Sequence, residues 1–505
     1  MPANVIAIVG GGAAGLAAAI AAAEACARAG RPARVAVYEA DERVGRSILA
    51  TGNGRCNFSN AHPDPALYHN AAHVAAALAA FEERACSERA ADGACNGGAL
   101  GAASCAAGAA GAPRAAGAEE EGVAAAQRTA RGVSWPVASN GVQAFFADHG
   151  LCWREESEGR LYPLPNKATA VLDVLRAAAA AAGVEERCGT AVEAVEPARS
   201  AGGPLTLRLA DGRLERADAV IVAAGGSVAR TLMPEGVPFR DPEPTLGPLA
   251  TDTRLVRQLD NIRVRGALEL WRGGVRAARE EGEVMFRKYG VSGIVAFNLS
   301  RLARPGDELA VDFLPAVGAR DAAAFLTARA RRLAVMFGGP VTCEGALRGL
   351  VLAPVGHVLC QAAGLRGEEA LDEAVAEVLA PALKGLRLAV EGLGDVRQCQ
   401  VRRGGVAVEA VDPRTGACRA VPGLYVAGEA LDVDAPCGGY NLHWAWASGL
   451  LAGWSAAGAV LAGQEGGARG NAPRASAAGV AAAPGAERRP ASPAGGGRGD
   501  ERGRR

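Results

Sequence analysis

Val5-Ile6-Ala7-Ile8-Val9 runs straight into Gly10-Gly11-Gly12-Ala13-Ala14-Gly15, and an Ala/Leu-rich stretch then continues to about Ala29. The apolar run predicts a buried parallel strand, the glycines a tight turn, and the Ala/Leu stretch a helix. Gly10 permits the sharp turn, Gly12 lets the backbone approach a pyrophosphate, and Gly15 lets the helix pack on the strand. Ala13 and Ala14 fall in the first helical turn, where free N–H groups and a partial positive charge face a phosphate. A second strand, Arg34-Val35-Ala36-Val37-Tyr38, ends at Glu39, an acid able to accept hydrogen bonds from both hydroxyls of an adenosine ribose. An Ala-rich helix with an incidental glycine turn is the alternative. The strand before it and the acid after it count against that alternative.

A chain of 505 residues is too long for one simple core, so two or three domains are expected. Lys+Arg equals Asp+Glu, 54 each, which leaves no global basic field for nucleic acid. No stretch reads as membrane-spanning, because Glu24 and Arg28 interrupt the apolar helix after Gly15. The N-terminus enters the nucleotide fold directly, without a basic leader. Twelve cysteines without a C-x-x-C pair favour free thiols in a reducing cytoplasm over a disulfide framework or a zinc site.

Gly45 to Asn60 holds three glycines, three asparagines and two arginines. That is too polar for a core and predicts a loop wrapping a polar ligand through backbone N–H groups and amide side chains. Gly45, Arg46, Asn53, Gly54, Arg55, Cys56 and Asn57 are its candidate contacts. This loop resembles the signature loop of the BaiN/RdsA-like family of NAD(P)/FAD-dependent oxidoreductases. The resemblance implies a Rossmann-like, two-dinucleotide-binding α/β fold that holds FAD and carries an inserted substrate domain. The family's usual lysine after Gly-Arg is Ser47 here. Cys56 has no neighbouring cysteine and reads as a packing residue rather than half of a redox disulfide. His62, His69 and His73 lack the acids or thiols of a ligand set and read as solvated or capping residues rather than a metal site.

The expected organisation follows from the two ends. Residues 1–84, 132–236 and 394–463 form the FAD-binding domain, interrupted by a low-complexity insertion at 85–131. Residues 237–393 form the inserted domain, a strand-rich β-barrel part followed by a helical part from about Asp321 to Val390, and 464–505 is a mildly basic, disordered tail. A hairpin around Glu158-Gly159 carries Arg160 and leads to Lys167, charges suited to an anionic ligand or to ion pairs with nearby glutamates. Val192 is placed near the adenine. Ala224-Gly225-Gly226 ends another apolar strand at the dinucleotide. Arg287 and Ile294 depart from the family's Thr and Pro in the inserted domain. Gly404-Gly405 reads as a turn. The second anchor is the strand 424–427, followed by Gly428, Glu429 and Asp432, and then a helix opened by Gly439, Tyr440, Asn441 and Leu442. A helix N-terminus aimed at the flavin N1–C2=O edge favours the anionic reduced form.

The resemblance implies hydride transfer from NADH or NADPH, docked transiently, through flavin N5 to an activated C=C or C=O of a small, steroid- or bile-acid-like substrate. Arg55, Tyr289, Tyr440 and His443 are the candidate proton donors or charge stabilisers. Oxidation of a small amine is the second enzymatic reading, and a flavin-stabilised binding protein without turnover is the third.

Overall fold

The computed structural model describes residues 4–91, 127–128, 134–135, 138–200 and 202–470. Strand β1 (Val5–Val9), helix α1 (Ala13–Arg28) and strand β2 (Arg34–Tyr38) form as the glycine turn predicts. β1 lies at the centre of a five-stranded sheet in the order Leu424–Val426, Ala219–Val222, β1, β2, Glu185–Arg187. Every pairing in it is parallel. A sheet covered on both faces explains why β1 and Ala219–Val222 are apolar almost throughout.

Gly15 is required by proximity: a Cβ there would stand 1.8 Å from the Gly10 carbonyl oxygen. The closing helix, Tyr440–Gly470, packs across α1. Its Gly449 and Gly453 lie one turn apart on one face. A Cβ on either would meet the Ala14 or Ala18 carbonyl oxygen at 2.3 Å. The two backbones therefore touch. The span Tyr440–Gly463 is long and apolar enough to cross a membrane, but 72% of that window is buried, which marks a core helix.

The inserted lobe has its own core. A closed barrel runs through Leu249–Thr251, Gly290–Ser292, Val275–Arg287, Arg263–Arg272, Glu308–Asp312 and Leu386–Leu393. Helices Ala322–Phe337, Ala353–Ala362 and Glu373–Gly385 pack beside it. Phe239–Thr245 and Val401–Val406 pair antiparallel where the chain leaves and returns.

Several expectations need correction. The helical part of the insertion stops at Gly385, because Leu386–Leu393 is the strand that closes the barrel. Gly404-Gly405 lies within the strand Val401–Val406 rather than in a turn. A Cβ on either glycine would strike a carbonyl oxygen at 2.6 Å, of Asp241 or Ala430. Helix Ala71–Ala91 continues into the segment expected to be low-complexity from residue 85. The closing helix runs to Gly470, past the expected start of the tail. The remainder of the 85–131 insertion, apart from the short strand Gln127–Arg128, and the tail from 471 lie outside the described residues. Gly463–Arg505 separates as a second unit, described only by the end of that helix.

Candidate functional site

A cavity of about 460 Å³ opens where the first turn of α1, the end of β2 and the start of the closing helix converge. Gly12, Ala13 and Ala14, from the first turn of α1, and Glu39, from the end of β2, line it. No side chain caps α1 at Gly12, so its first N–H groups are left for a ligand. The Glu39 carboxylate accepts from Gly11 N–H at 2.8 Å and Asp41 N–H at 2.9 Å, one on each oxygen. Each oxygen keeps a lone pair for a ribose hydroxyl. Glu39→Ala removes both the acceptor and the anchor of the turn, and is expected to weaken FAD binding roughly 10–100-fold. Flavin fluorescence released on dilution measures it.

Ala224, Gly225 and Gly226 also line it, as do Gly428 and Glu429, and a Cβ on Gly226 would meet the Glu429 carbonyl oxygen at 3.0 Å. Gly428, at φ +66°, is pinned from both sides: its N–H donates to Ser448 Oγ at 2.9 Å and its carbonyl accepts from Trp444 Nε1 at 3.1 Å. Burial pushes the Glu429 carboxyl up, partly offset by the Arg402 N–H that it accepts at 2.8 Å. Asn441 and Leu442, in the first turn of the closing helix, line it as well. The Asn441 amide holds the preceding turn, bonding Ala435 N–H and C=O at 2.9 and 2.8 Å.

Other candidates support this cavity, and all but Arg46 do so without lining it. Gly10, at φ +104°, passes so close to Ala223 that a Cβ would meet its carbonyl oxygen at 2.7 Å. Gly45, at φ +77°, leaves room for Leu172. Arg46 lines the rim and pairs with Asp41 at 2.9 Å. Asn53 and Gly54 form a left-handed turn outside the lining. Cys56 is fully buried, and burial pushes its thiol up to about 11, as suits a packing residue. Asn57 Oδ1 is buried without a donor among the described residues, beside the Gly439 turn that opens the closing helix. A flavin pyrimidine edge carries such a donor. The uncapped helix and the free lone pairs of Glu39, both on the cavity, fit FAD.

Some candidates are placed elsewhere. Val192 lies buried in a separate antiparallel sheet, off the cavity. Asp432 faces away: Arg240 Nη1 at 3.0 Å, Gly404 N–H at 2.9 Å and the Asn70 amide occupy its carboxylate. Arg55 is held by Asn166 at 2.6 Å and by Glu156, with its guanidinium 4.1 Å over the Tyr162 ring. Arg160 pairs with Glu158, and Lys167 is exposed at the N-cap of Ala168–Ala181. Tyr289 packs against Gly394 on the barrel side, outside the lining. Tyr440 is half-buried next to cavity-lining Asn441, with its carbonyl accepting from Tyr68 OH at 2.8 Å.

His443 cannot act as a proton donor near neutrality. It is 1% exposed, its Nδ1 lies 2.9 Å from Ser59 Oγ, and burial lowers its pKa to about 4. The unfolded chain takes up this proton first, so stability falls as pH drops from the ordinary 6.5 towards 4. His443→Gln is expected to flatten that fall, read by urea titrations across the range. It should leave the pH dependence of flavin reduction unchanged between about pH 6 and 8, read by stopped-flow absorbance.

Sequence reasoning missed Gly11, Ser227, Gln400 and Arg402, all of which line the cavity. Ser47, noted for its departure from lysine, lines it as well. For Gly11 a signal existed, since the middle glycine of the turn faces the acid at the end of β2. Gln400 and Arg402 carried none, because distant partners bring them there: Gln400 N–H donates to Leu246 C=O at 3.0 Å, and Arg402 pairs with Pro244.

Residues 4–93 and 137–455 match the family described as the HI0933-like protein Rossmann domain. A 3-dehydro-bile acid delta(4,6)-reductase of Clostridium scindens is 30% identical over 473 residues, covering 90% of this chain and 99% of that protein. A ribosomal RNA dihydrouridine synthase of Escherichia coli is 25% identical over 464 residues, 87% of this chain and 95% of that protein. Among solved structures, the 3-ketosteroid delta1-dehydrogenase of Sterolibacterium denitrificans matches 90% of this chain and 100% of its own at 13% identity, with a TM-score of 0.40. The chain belongs to the HI0933-like Rossmann family and is an FAD-dependent oxidoreductase.

Proposed function

We propose that this protein reduces a C=C conjugated to a carbonyl in a small, steroid- or bile-acid-like molecule, with NADH or NADPH as a transiently docked donor. The likeness to the bile acid reductase, along 99% of that protein's length, carries the reading. The dihydrouridine synthase's name points to the same chemistry, because uridine also presents a C=C conjugated to a carbonyl. An RNA substrate is disfavoured by charge: 54 basic and 54 acidic residues give no field for a polyanion.

Bound FAD supplies the hydride equivalent. The chain's part is to hold the cofactor and place a proton. Arg55 is committed to Glu156 and Asn166, and His443 is neutral and buried. Tyr440 remains: it adjoins the cavity-lining Asn441, and burial raises its phenol, so it keeps its proton at neutral pH. Tyr289 has a similarly raised phenol but stands off the cavity.

The experiment is an anaerobic visible spectrum of the purified protein before and after NADH or NADPH, then re-oxidation by a steroid enone. Bleaching followed by enone-dependent recovery supports the reading. Bleaching by amines and not by nicotinamide nucleotides would transfer the protein to amine oxidation. Bound flavin that responds to neither class would leave a binding role. Tyr440→Phe should slow the enone step and spare bleaching.

A further inference from the structure

Five charged residues line the cavity: Glu39, Asp41, Arg46, Arg402 and Glu429. Four are engaged. Glu39 accepts two N–H groups, Arg46 pairs with Asp41, and Glu429 accepts the Arg402 N–H. The Arg402 guanidinium is different. Arg402 is exposed, and its side chain makes no hydrogen bond or ion pair among the described residues. Among the described lining residues it is the cation whose side chain has no hydrogen-bonded partner, its charge acting on the nearby Glu429 carboxylate only through space.

Its place is defined by contacts. A Cβ on Gly428 would meet the Ala14 Cβ at 2.8 Å, so Gly428-Glu429 abuts the first turn of α1. Arg402 N–H bonds the Glu429 carboxylate at 2.8 Å. Arg402 thus shares one cavity with the uncapped first turn of α1, linked to it through Glu429 and Gly428. The same cavity is lined by Glu39, at the end of β2, and by Asn441 and Leu442, at the start of the closing helix. The strand that carries it is held by Gly404 and Gly405 against neighbouring carbonyls, so the position is rigid.

We propose that the Arg402 guanidinium is the counter-ion of the FAD diphosphate bridge. The bridge carries two negative charges, while three acids and Arg46 leave the remaining wall net negative. The helix N-terminus offers only about half a positive charge. A guanidinium adds a full charge and a fork of donors that matches two phosphate oxygens. This inference rests on the cofactor and not on the substrate reading.

The test uses full-length holoenzyme with Arg402→Gln and Arg402→Lys. FAD release on dilution is followed by recovery of flavin fluorescence over a sodium chloride series. Riboflavin, which lacks phosphate, is titrated into flavin-depleted protein. Arg402→Gln is expected to weaken FAD binding roughly tenfold at low salt, with a flatter salt dependence and unchanged riboflavin affinity. Arg402→Lys should recover part of the loss. Circular dichroism confirms folding, which an exposed side chain without a hydrogen bond or ion pair among the described residues should not affect. Equal loss of FAD and riboflavin, or unchanged FAD release, overturns the proposal. So does a rise in KM for NADPH but not NADH with FAD retained, which would assign Arg402 to the donor's phosphate.

Discussion

Gly449→Val and Gly453→Leu are each expected to remove about 3 kcal/mol of stability and to release FAD. At both positions the added Cβ would meet a carbonyl oxygen of α1 at 2.3 Å and the carbon behind it at 3.0 Å. These are backbone atoms, with no flexible side chain to swing away. The closing helix must then lift from α1, uncovering Ala17, Ala18, Leu450 and Ala457, all buried now. Ala14 lines the cavity, so the same movement displaces the phosphate end of the site. Urea unfolding followed by flavin absorbance reads both effects. Gly458 is the internal control: nothing lies within 4 Å of its added Cβ, and Gly458→Ala should gain up to about 1 kcal/mol of helix propensity. Unfolding of Gly449→Val at the unsubstituted midpoint would show that the helices do not cross this closely.

Asp434→Ala is expected to cost about 3–5 kcal/mol. Asp434 is completely buried, and Arg301 and Arg403 converge on it: Arg301 Nε at 2.7 Å, Arg403 Nε at 2.7 Å and Arg403 Nη2 at 2.9 Å. Arg301 follows the barrel-side helix Ile294–Ser300, and its guanidinium also reaches Leu67 C=O at 3.1 Å. Removing the carboxylate leaves two inward-facing guanidiniums without their charged acceptor and weakens one tie between the inserted lobe and the nucleotide fold. Burial alone would raise this carboxyl, but Arg403 and Arg301 together outweigh it and hold the pKa below 3.8. The stabilisation is present in full above 3.8 and is lost as pH falls below it through the lower folded value. The variant should therefore show a shallower acid transition. An unchanged acid transition would mean the carboxylate is not the group that titrates.

The nucleotide half of the fold was legible because its signals are local. Strand, glycine turn, helix and acid occupy Val5 to Glu39 without interruption, and Gly225-Gly226 and Gly428-Glu429 each follow their strand directly. What escaped depends on distant partners. Glu185–Arg187 is a charged edge strand that pairs with β2 from about 150 residues away, and it has no apolar pattern to announce it. Leu386–Leu393 did carry a signal, since Leu386, Leu388 and Val390 face inward while Arg387, Ala389 and Glu391 face out. That period of two was overshadowed by the helical sequence before it. Among site residues, Asp432 and Arg55 have the right chemistry for a ligand. The choice between ligand and neighbour was made by Arg240 and Glu156, which lie far off in the chain.

The helix crossing also sets a timetable for synthesis. The Ala14–Ala18 face of α1 leaves the ribosome early, but Gly449 and Gly453, which cover it, follow more than 400 residues later. At roughly 5–20 residues per second, that apolar face waits on the order of 20–90 s before its partner exists. The strand Leu424–Val426 is equally late, so the cofactor cavity cannot close until translation is nearly finished. The nascent chain therefore carries an incomplete nucleotide fold while the inserted lobe, whose strands all emerge before Leu424, is made in full, and the complete FAD cavity is among the last features to form.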